Sequence, residues 1–360
     1  ATMAAVAVYP GRPGSIHRTT LPMPTPGPGQ VLARVRRVGV CGTDQEIIHG
    51  QFGSPPPGAD ELVLGHEALG EVEAIGPGAT GVAVGDLVVS TVRRPGGCVP
   101  CVSGQADMCA DLEYTEYGII GAHGFMVERF VMEPEHLIRV PAALEPIGIL
   151  TEPLSVVEKA LQQATLIQRR IQSWAPRTAI VLGAGPIGIL GTLLLRSRGM
   201  DVVTVARRPG PHAISRIIEA SGARYAATRS QSLAEIAAGL PPVDLVFEAT
   251  GVADLAFDAM DVLGANGVLV LLSLTGGGAT KELPIAQLNR SFVLGNKVMV
   301  GSVNSSREHF EMAVADLGRF ETLWPGLAAQ LITRRVHGFD DPAQIAAEVE
   351  GGIKTVIEVG

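Results

Sequence analysis

Thr178-Ala-Ile-Val-Leu-Gly183-Ala-Gly185-Pro186-Ile187-Gly188, followed by an apolar run through Leu195, is the stretch that decides the fold. A short run of apolar and β-branched residues stops at a glycine, and a run with helical spacing starts a few positions later. In that order the glycines permit a tight turn, close approach of an anionic ligand and close helix packing, while the first helical N–H groups point at the anion. A second match, Gly76-Pro-Gly78-Ala-Thr-Gly81, must be weighed against it. With 44 glycines in 360 residues, about one such match arises by chance. The copy at Gly76 joins two strand-like runs with no helix after it, so it reads as a turn.

Outward from Gly183, strand-like runs at 178–183, 202–206, 244–248, 267–274 and 298–303 alternate with helical sequence at 187–198 and after Ala213. Alternation of this kind predicts a parallel, doubly wound α/β sheet, placed at 156–305. The preceding residues differ. Short β-like runs at 31–38, 69–75, 87–92, 125–131 and 136–140 are separated by Gly and Pro clusters, which predicts a β-rich domain over 1–155 closing with helical sequence from Glu145. Helical runs at 307–317 and 341–350 and a strand at 355–359 are expected to rejoin that domain, over 306–360.

The net charge of −8, 46% hydrophobic content and 18% charged residues indicate a folded chain with two cores and no overall charge footprint for nucleic acid or an anionic membrane. The apolar stretch 180–195 is too short and glycine-rich for a membrane span, and a cytoplasmic protein is expected. Four cysteines are too few for a disulfide scaffold, and Cys98, Cys101 and Cys109 crowd together as metal ligands do. Past the glycine motif, where an acidic residue would meet a ribose 2′-hydroxyl, the chain has Ala206-Arg207-Arg208. Two guanidinium groups suit a 2′-phosphate, so NADP is expected over NAD. Thr250 and, at the end of the 267–274 run, Leu272 and Leu274 are further candidate cofactor contacts.

Cys41-Gly-Thr-Asp44 and Gly65-His66-Glu67 offer a thiolate, an imidazole and a carboxylate, ligand types that zinc accepts. With Gly70, Gly76, Gly85-Asp86 and the Gly183 motif, they resemble the zinc-dependent medium-chain dehydrogenase/reductase superfamily. Arg93-Arg94, the 111–119 stretch, His123-Gly-Phe-Met126, Ile149 to Lys159 and Gly301-Ser-Val-Asn304 are similar to segments of its archaeal-type glucose (aldose) 1-dehydrogenases. The resemblance implies a GroES-like β-rich catalytic domain, a Rossmann cofactor domain and a substrate cleft.

Carried over by residue, it makes Cys41 and His66 zinc ligands, with Glu67 and Glu152 as the remaining direct or water-mediated ligands. It implies hydride transfer from C1 of a glucose-like sugar to NADP, giving the lactone. Thr43 resembles the hydroxyl that starts the proton relay, but Glu46 stands where many relatives have a relay histidine, leaving Glu46, Glu67 or water to continue it. His49 reads as a surface residue. Glu116 and Asn304, with Glu152 and Thr43, are the substrate candidates, and Asn304 is a cofactor candidate as well. Val92 replaces a hydrogen-bonding Asn found in some relatives. Cys98, Cys101 and Cys109 resemble a structural-zinc lobe whose first cysteine is Pro95 here, so Asp107, Asp111 or another nearby carboxylate completes it or the lobe is metal-free. A polyol, an aminocyclitol or another secondary alcohol is the alternative substrate, and a non-catalytic NADPH-binding protein the alternative of another class. A homodimer or homotetramer is implied.

Overall fold

The strand Val31–Val40 is the spine of the β-rich part of the chain. Val31, Ala33, Val35 and Val38 are buried and the residues between Val31 and Val35 half-buried, the period-two pattern of a strand with one core face. Glu67–Ile75 pairs along one edge, while on the other Arg129–Met132 covers the start of the strand and Lys354–Glu358 its end. The sheet continues through Leu87–Ser90 and Leu137–Val140 on one side and Ile332–His337 on the other. Two registers matter below: Glu67 lies opposite Gly39, and Thr355 opposite Val40. A small sheet of Arg93–Arg94, Thr115–Tyr117 and Gly121–Ala122 carries the cysteine-rich lobe.

The structure, a computed structural model, describes residues 1–348 and 350–360. It divides into one unit of Ala1–Ser155, Asn304–Gly318 and Ala329–Gly360, and a second of Val156–Val303 and Arg319–Ala328. The return to the first unit is therefore interrupted, where the sequence suggested a continuous stretch over 306–360. No helix among the described residues is long and apolar enough to cross a membrane.

The second unit is a six-stranded parallel sheet in the order Arg224–Ala227, Asp201–Ala206, Thr178–Leu182, Val243–Glu248, Leu263–Leu271, Val298–Gly301. Strand order reverses between Thr178–Leu182 and Val243–Glu248, the crevice where open α/β sheets bind ligands. Ile180, Leu182, Val203, Val205, Val246 and Leu269 form one core with Leu233, Ile236 and Ala259 from the covering helices. Each such large aliphatic side chain contributes about 1.5–3 kcal/mol by leaving water.

Two expectations are corrected. Over 125–131 the ladder strand is only Arg129–Met132; before it Val127 makes a single bridge to Ala5, the amides of Phe125 and Met126 donate to the carbonyls of Gly65 and Leu64, and the Phe125 ring packs between Tyr117 and Phe130. Of the helix expected at 341–350, the structure gives Pro342–Ala346 with Ala347 extended, and Val349 lies outside the described residues.

Candidate metal and cofactor sites

Cys41 follows the spine strand and caps the helix Gly42–Ile48: the Thr43 amide donates to its Sγ at 3.4 Å, while its own amide donates to Asp44 Oδ2 at 2.9 Å. This reciprocal box fixes both side chains at the first turn. His66 and Glu67 arrive from the neighbouring strand through Gly65, whose φ of +92° few other residues adopt. The Cys41 sulfur, a His66 ring nitrogen and a Glu67 carboxylate oxygen lie within 4.8 Å of one another. Gly39 makes room for this. A Cβ there would sit 2.0 Å from Glu67 Oε2.

Glu67 is held by Lys354, whose Nζ lies 2.5 Å from both carboxylate oxygens and donates a well-aligned bond only to Oε1. Lys354 also donates to the Val40 carbonyl at 3.2 Å. Burial opposes its charge, yet Glu67 and Cys41 hold its pKa above the usual value. His66 is likewise opposed by burial and raised well above the imidazole range by Cys41 and Asp44, with Asp44 Oδ1 3.7 Å from its Nδ1. Burial raises Asp44 as well. Glu152, in the first turn of Thr151–Ile167, is partly exposed, but burial of its carboxyl and repulsion from Glu67 push its pKa up to about 7 against the pull of His66 and Lys354.

The residues fit zinc. One soft thiolate, one imidazole and carboxylate oxygens form a borderline donor set. Among the described residues, His66 Nδ1, Glu67 Oε2 and Asp44 Oδ1 are buried without a hydrogen-bond partner, an arrangement costly unless positive charge is added. Three of the four expected ligands are gathered; Glu152 stands beside the trio, outside its 4.8 Å circle. Thr43 and Glu46 lie half-buried on the capped helix, and among the described residues Glu46 makes no hydrogen bond to the trio. His49 is exposed.

In the second unit Gly183 has φ +106°, and a Cβ there would meet Ala249 at 2.7 Å. A Cβ on Gly188 would fall 2.0 Å from the Gly183 carbonyl, so both glycines are sterically required. The helix Pro186–Ser197 begins with Pro at its first position and no side-chain cap, leaving its N–H groups open. Next to it lies a cavity of about 600 Å³ lined by Gly183, Gly185, Ala206, Arg207, Thr228 and Thr250, and also by Asp254 and Asp258. Arg207 faces this cavity. Arg208, Leu272, Leu274 and Asn304 do not line it, and the Arg208 carbonyl accepts from Tyr225 Oη at 2.6 Å.

Glu116 is buried opposite Arg93 in the lobe's sheet, and its Oε1 accepts from Arg93 Nε at 2.9 Å and from Asn304 Nδ2 at 3.0 Å. Asn304 has φ +59°, a left-handed conformation asparagine tolerates. Val92 beside them is buried and apolar.

Residues 27–142 match the alcohol dehydrogenase GroES-like domain, and residues 145–359 match the glucose dehydrogenase C-terminus. The chain belongs to the glucose dehydrogenase family. It is 41% identical to a glucose 1-dehydrogenase of Methanocella arvoryzae, over 99% of this chain and 100% of that one. Against one of Halobacterium salinarum it is 44% identical over 94% of each. Among solved structures, the Haloferax mediterranei glucose dehydrogenase in complex with NADP, Zn and gluconolactone superposes with a TM-score of 0.91, 37% identity and 99% coverage of both chains.

The lobe of this family member brings the sulfurs of Cys98, Cys101 and Cys109 within 4.8 Å of one another. Asp111 Oδ1 lies 2.9 Å from the Cys109 sulfur; Asp107, the other carboxylate considered, is buried in the same lobe. Amide hydrogen bonds, first from Ala110, bring Cys98 down to about 7, whereas the bond to Asp111 pushes Cys109 up to about 12. Lys354, Gly39 and Arg93 are site residues that sequence reasoning missed. Only Arg93 carried a signal, as half of a quoted Arg pair with no role attached.

Proposed function

We propose that the chain is a zinc-dependent aldose 1-dehydrogenase that transfers a hydride from C1 of a glucose-like sugar to NADP, giving the aldonolactone. The observation that carries this is the cluster of half-buried Cys41 with buried His66 and Glu67 in a chain of the glucose dehydrogenase family. The Haloferax mediterranei relative is described with NADP, Zn and gluconolactone, the same metal, cofactor and product. When bound, zinc supplies a Lewis acid at the C1 hydroxyl oxygen and NADP an acceptor for the hydride.

Cys41 and His66 hold the metal, with Glu67 and Glu152 as direct or water-mediated ligands. Lys354 balances the charge of Glu67, so the site is not overloaded with anions. Thr43 Oγ1 takes up the substrate hydroxyl proton while passing its own to Glu46, Glu67 or water. Glu116 and Asn304 orient sugar hydroxyls through directional bonds, which a hexose with little apolar surface requires.

Gly183, Gly185, Pro186, Ile187 and Gly188 seat the pyrophosphate at the start of the helix Pro186–Ser197. Arg207, with Arg208 flanking, favours the 2′-phosphate; Thr250, Leu272, Leu274 and Asn304 contact the rest of the cofactor. A cytoplasmic homodimer or homotetramer completes the proposal; its self-association is supported by the sheet-edge strand Val298–Gly301 and the exposed Ile285, Val293 and Leu294 nearby in sequence.

The test is zinc analysis of purified protein with initial rates on glucose, galactose, xylose and simple alcohols, using NADP and NAD. Zinc-dependent NADPH formation from aldoses is expected. Preference for a simple alcohol, or a zinc-loaded protein inert toward every sugar, would reject the assignment.

A further inference from the structure

Arg93, in the first unit's small sheet, is the guanidinium that meets Glu116, and its side chain is 4% exposed. Its Nε donates to Glu116 Oε1 at 2.9 Å, and its Nη2 lies 2.9 Å from the same oxygen. Its Nη1 faces the carbonyls of Ala106 and Asp107, each at 3.4 Å, in the short turn that leads to Cys109. The guanidinium carbon lies over the Tyr114 ring, 3.6 Å from its centre. The guanidinium is thus fixed from three directions: a carboxylate, a turn of the cysteine lobe and an aromatic face.

The consequence falls on Glu116. Among the described residues, its hydrogen bonds from Arg93 and Asn304 and its ion pair all end on Oε1. An ionised carboxylate has about four acceptor sites over two oxygens. Loading one oxygen with three donors sets the carboxylate plane and leaves Oε2 as the acceptor for an incoming hydroxyl. A buried ion pair contributes little net stability, so its retention here is better explained by the geometry it enforces.

We propose that Arg93 is a positioning residue of the sugar site: it fixes the orientation of Glu116 so that Oε2 selects one substrate hydroxyl, with the cysteine lobe as its anchor. The proposal rests on the reading of Glu116 as a sugar ligand given above. Lysine cannot substitute, because a single ammonium lacks the planar fork that meets Oε1 and two carbonyls at once.

The experiment compares wild type, Glu116→Gln, Arg93→Met and Arg93→Lys on glucose and a set of monodeoxyglucoses, with melting temperature and NADP affinity measured for each. Wild type is expected to discriminate against the sugar lacking the contacted hydroxyl by roughly ten- to a hundredfold in kcat/KM, the range for a hydrogen bond to a charged group. Glu116→Gln should lose most of that discrimination at one hydroxyl. Arg93→Met and Arg93→Lys should lose it at the same hydroxyl, mainly through KM, with discrimination at the other positions and NADP affinity retained. If Glu116→Gln shows no hydroxyl-specific loss, the sugar-ligand reading fails and the proposal with it. If Glu116→Gln behaves as expected but the Arg93 variants keep full discrimination, or lose activity on all sugars alike, the proposal alone is overturned.

Discussion

Replacing Lys354 by methionine removes the cation that lies 2.5 Å from Glu67 and leaves a carboxylate that is only 1% exposed. Removing one partner of a buried ion pair typically costs about 3–5 kcal/mol, because the remaining charge is uncompensated. Methionine retains much of the stem's volume, so packing adds little to the loss. At about 2–4 °C per kcal/mol for a unit of this size, metal-free Lys354→Met should melt roughly 6–20 °C below metal-free wild type. Zinc changes the balance. A divalent cation held by Cys41, His66 and Glu67 supplies the missing positive charge, so the zinc-loaded variant should recover a large part of that difference. The assay is thermal unfolding of chelator-treated and zinc-reloaded samples of both proteins. An equal deficit with and without zinc would refute the charge argument and leave Lys354 as an ordinary packing residue.

Arg207→Asp should cut kcat/KM for NADP by about ten- to a hundredfold and favour NAD, whereas Arg208→Ser, whose side chain is off the cavity, should change the ratio much less; initial rates with both cofactors check this. Gly39→Ala forces a methyl to within 2.0 Å of Glu67 Oε2, and should cost about 1–3 kcal/mol and weaken zinc retention on dialysis. Glu152→Ala should lower zinc per chain, and unchanged metal content and activity would remove it from the ligand set. In chelator-treated protein the thiolate of Cys98 forms as pH rises through about 7, so alkylation should reach half its limiting rate there, while Cys109, pushed up to about 12, stays slow to pH 9.

Local motifs made much of this legible from residues alone. The turn at Gly183 is built within a few positions, so spacing exposes it, whereas the capped helix after Cys41 was not read from the sequence. Gly76 was separable from Gly183 because a following helix, or its lack, is also local. Lys354 was not legible. It reaches Glu67 across 287 positions through a strand pairing that no periodicity encodes. The different surroundings of Arg207 and Arg208 were hidden for a related reason, since adjacent side chains at a strand end diverge and only the fold decides which meets the cavity. The stretch at Phe125 reads as one strand with Arg129–Met132 because isolated bridges and a continuous ladder leave the same apolar signature.

The pairing of Val40 with Thr355 also orders events in time. The nucleotide unit is nearly contiguous and can acquire its glycine turn and parallel sheet from segments already synthesised. The charge that neutralises Glu67 comes from a residue 314 positions beyond Val40. Closing so long a loop is slow and follows local structure. A chain caught partway through folding would therefore carry a formed dinucleotide cavity and an unfinished, anion-rich metal pocket, and the cofactor half is expected to regain its ligand sooner than the catalytic half on refolding.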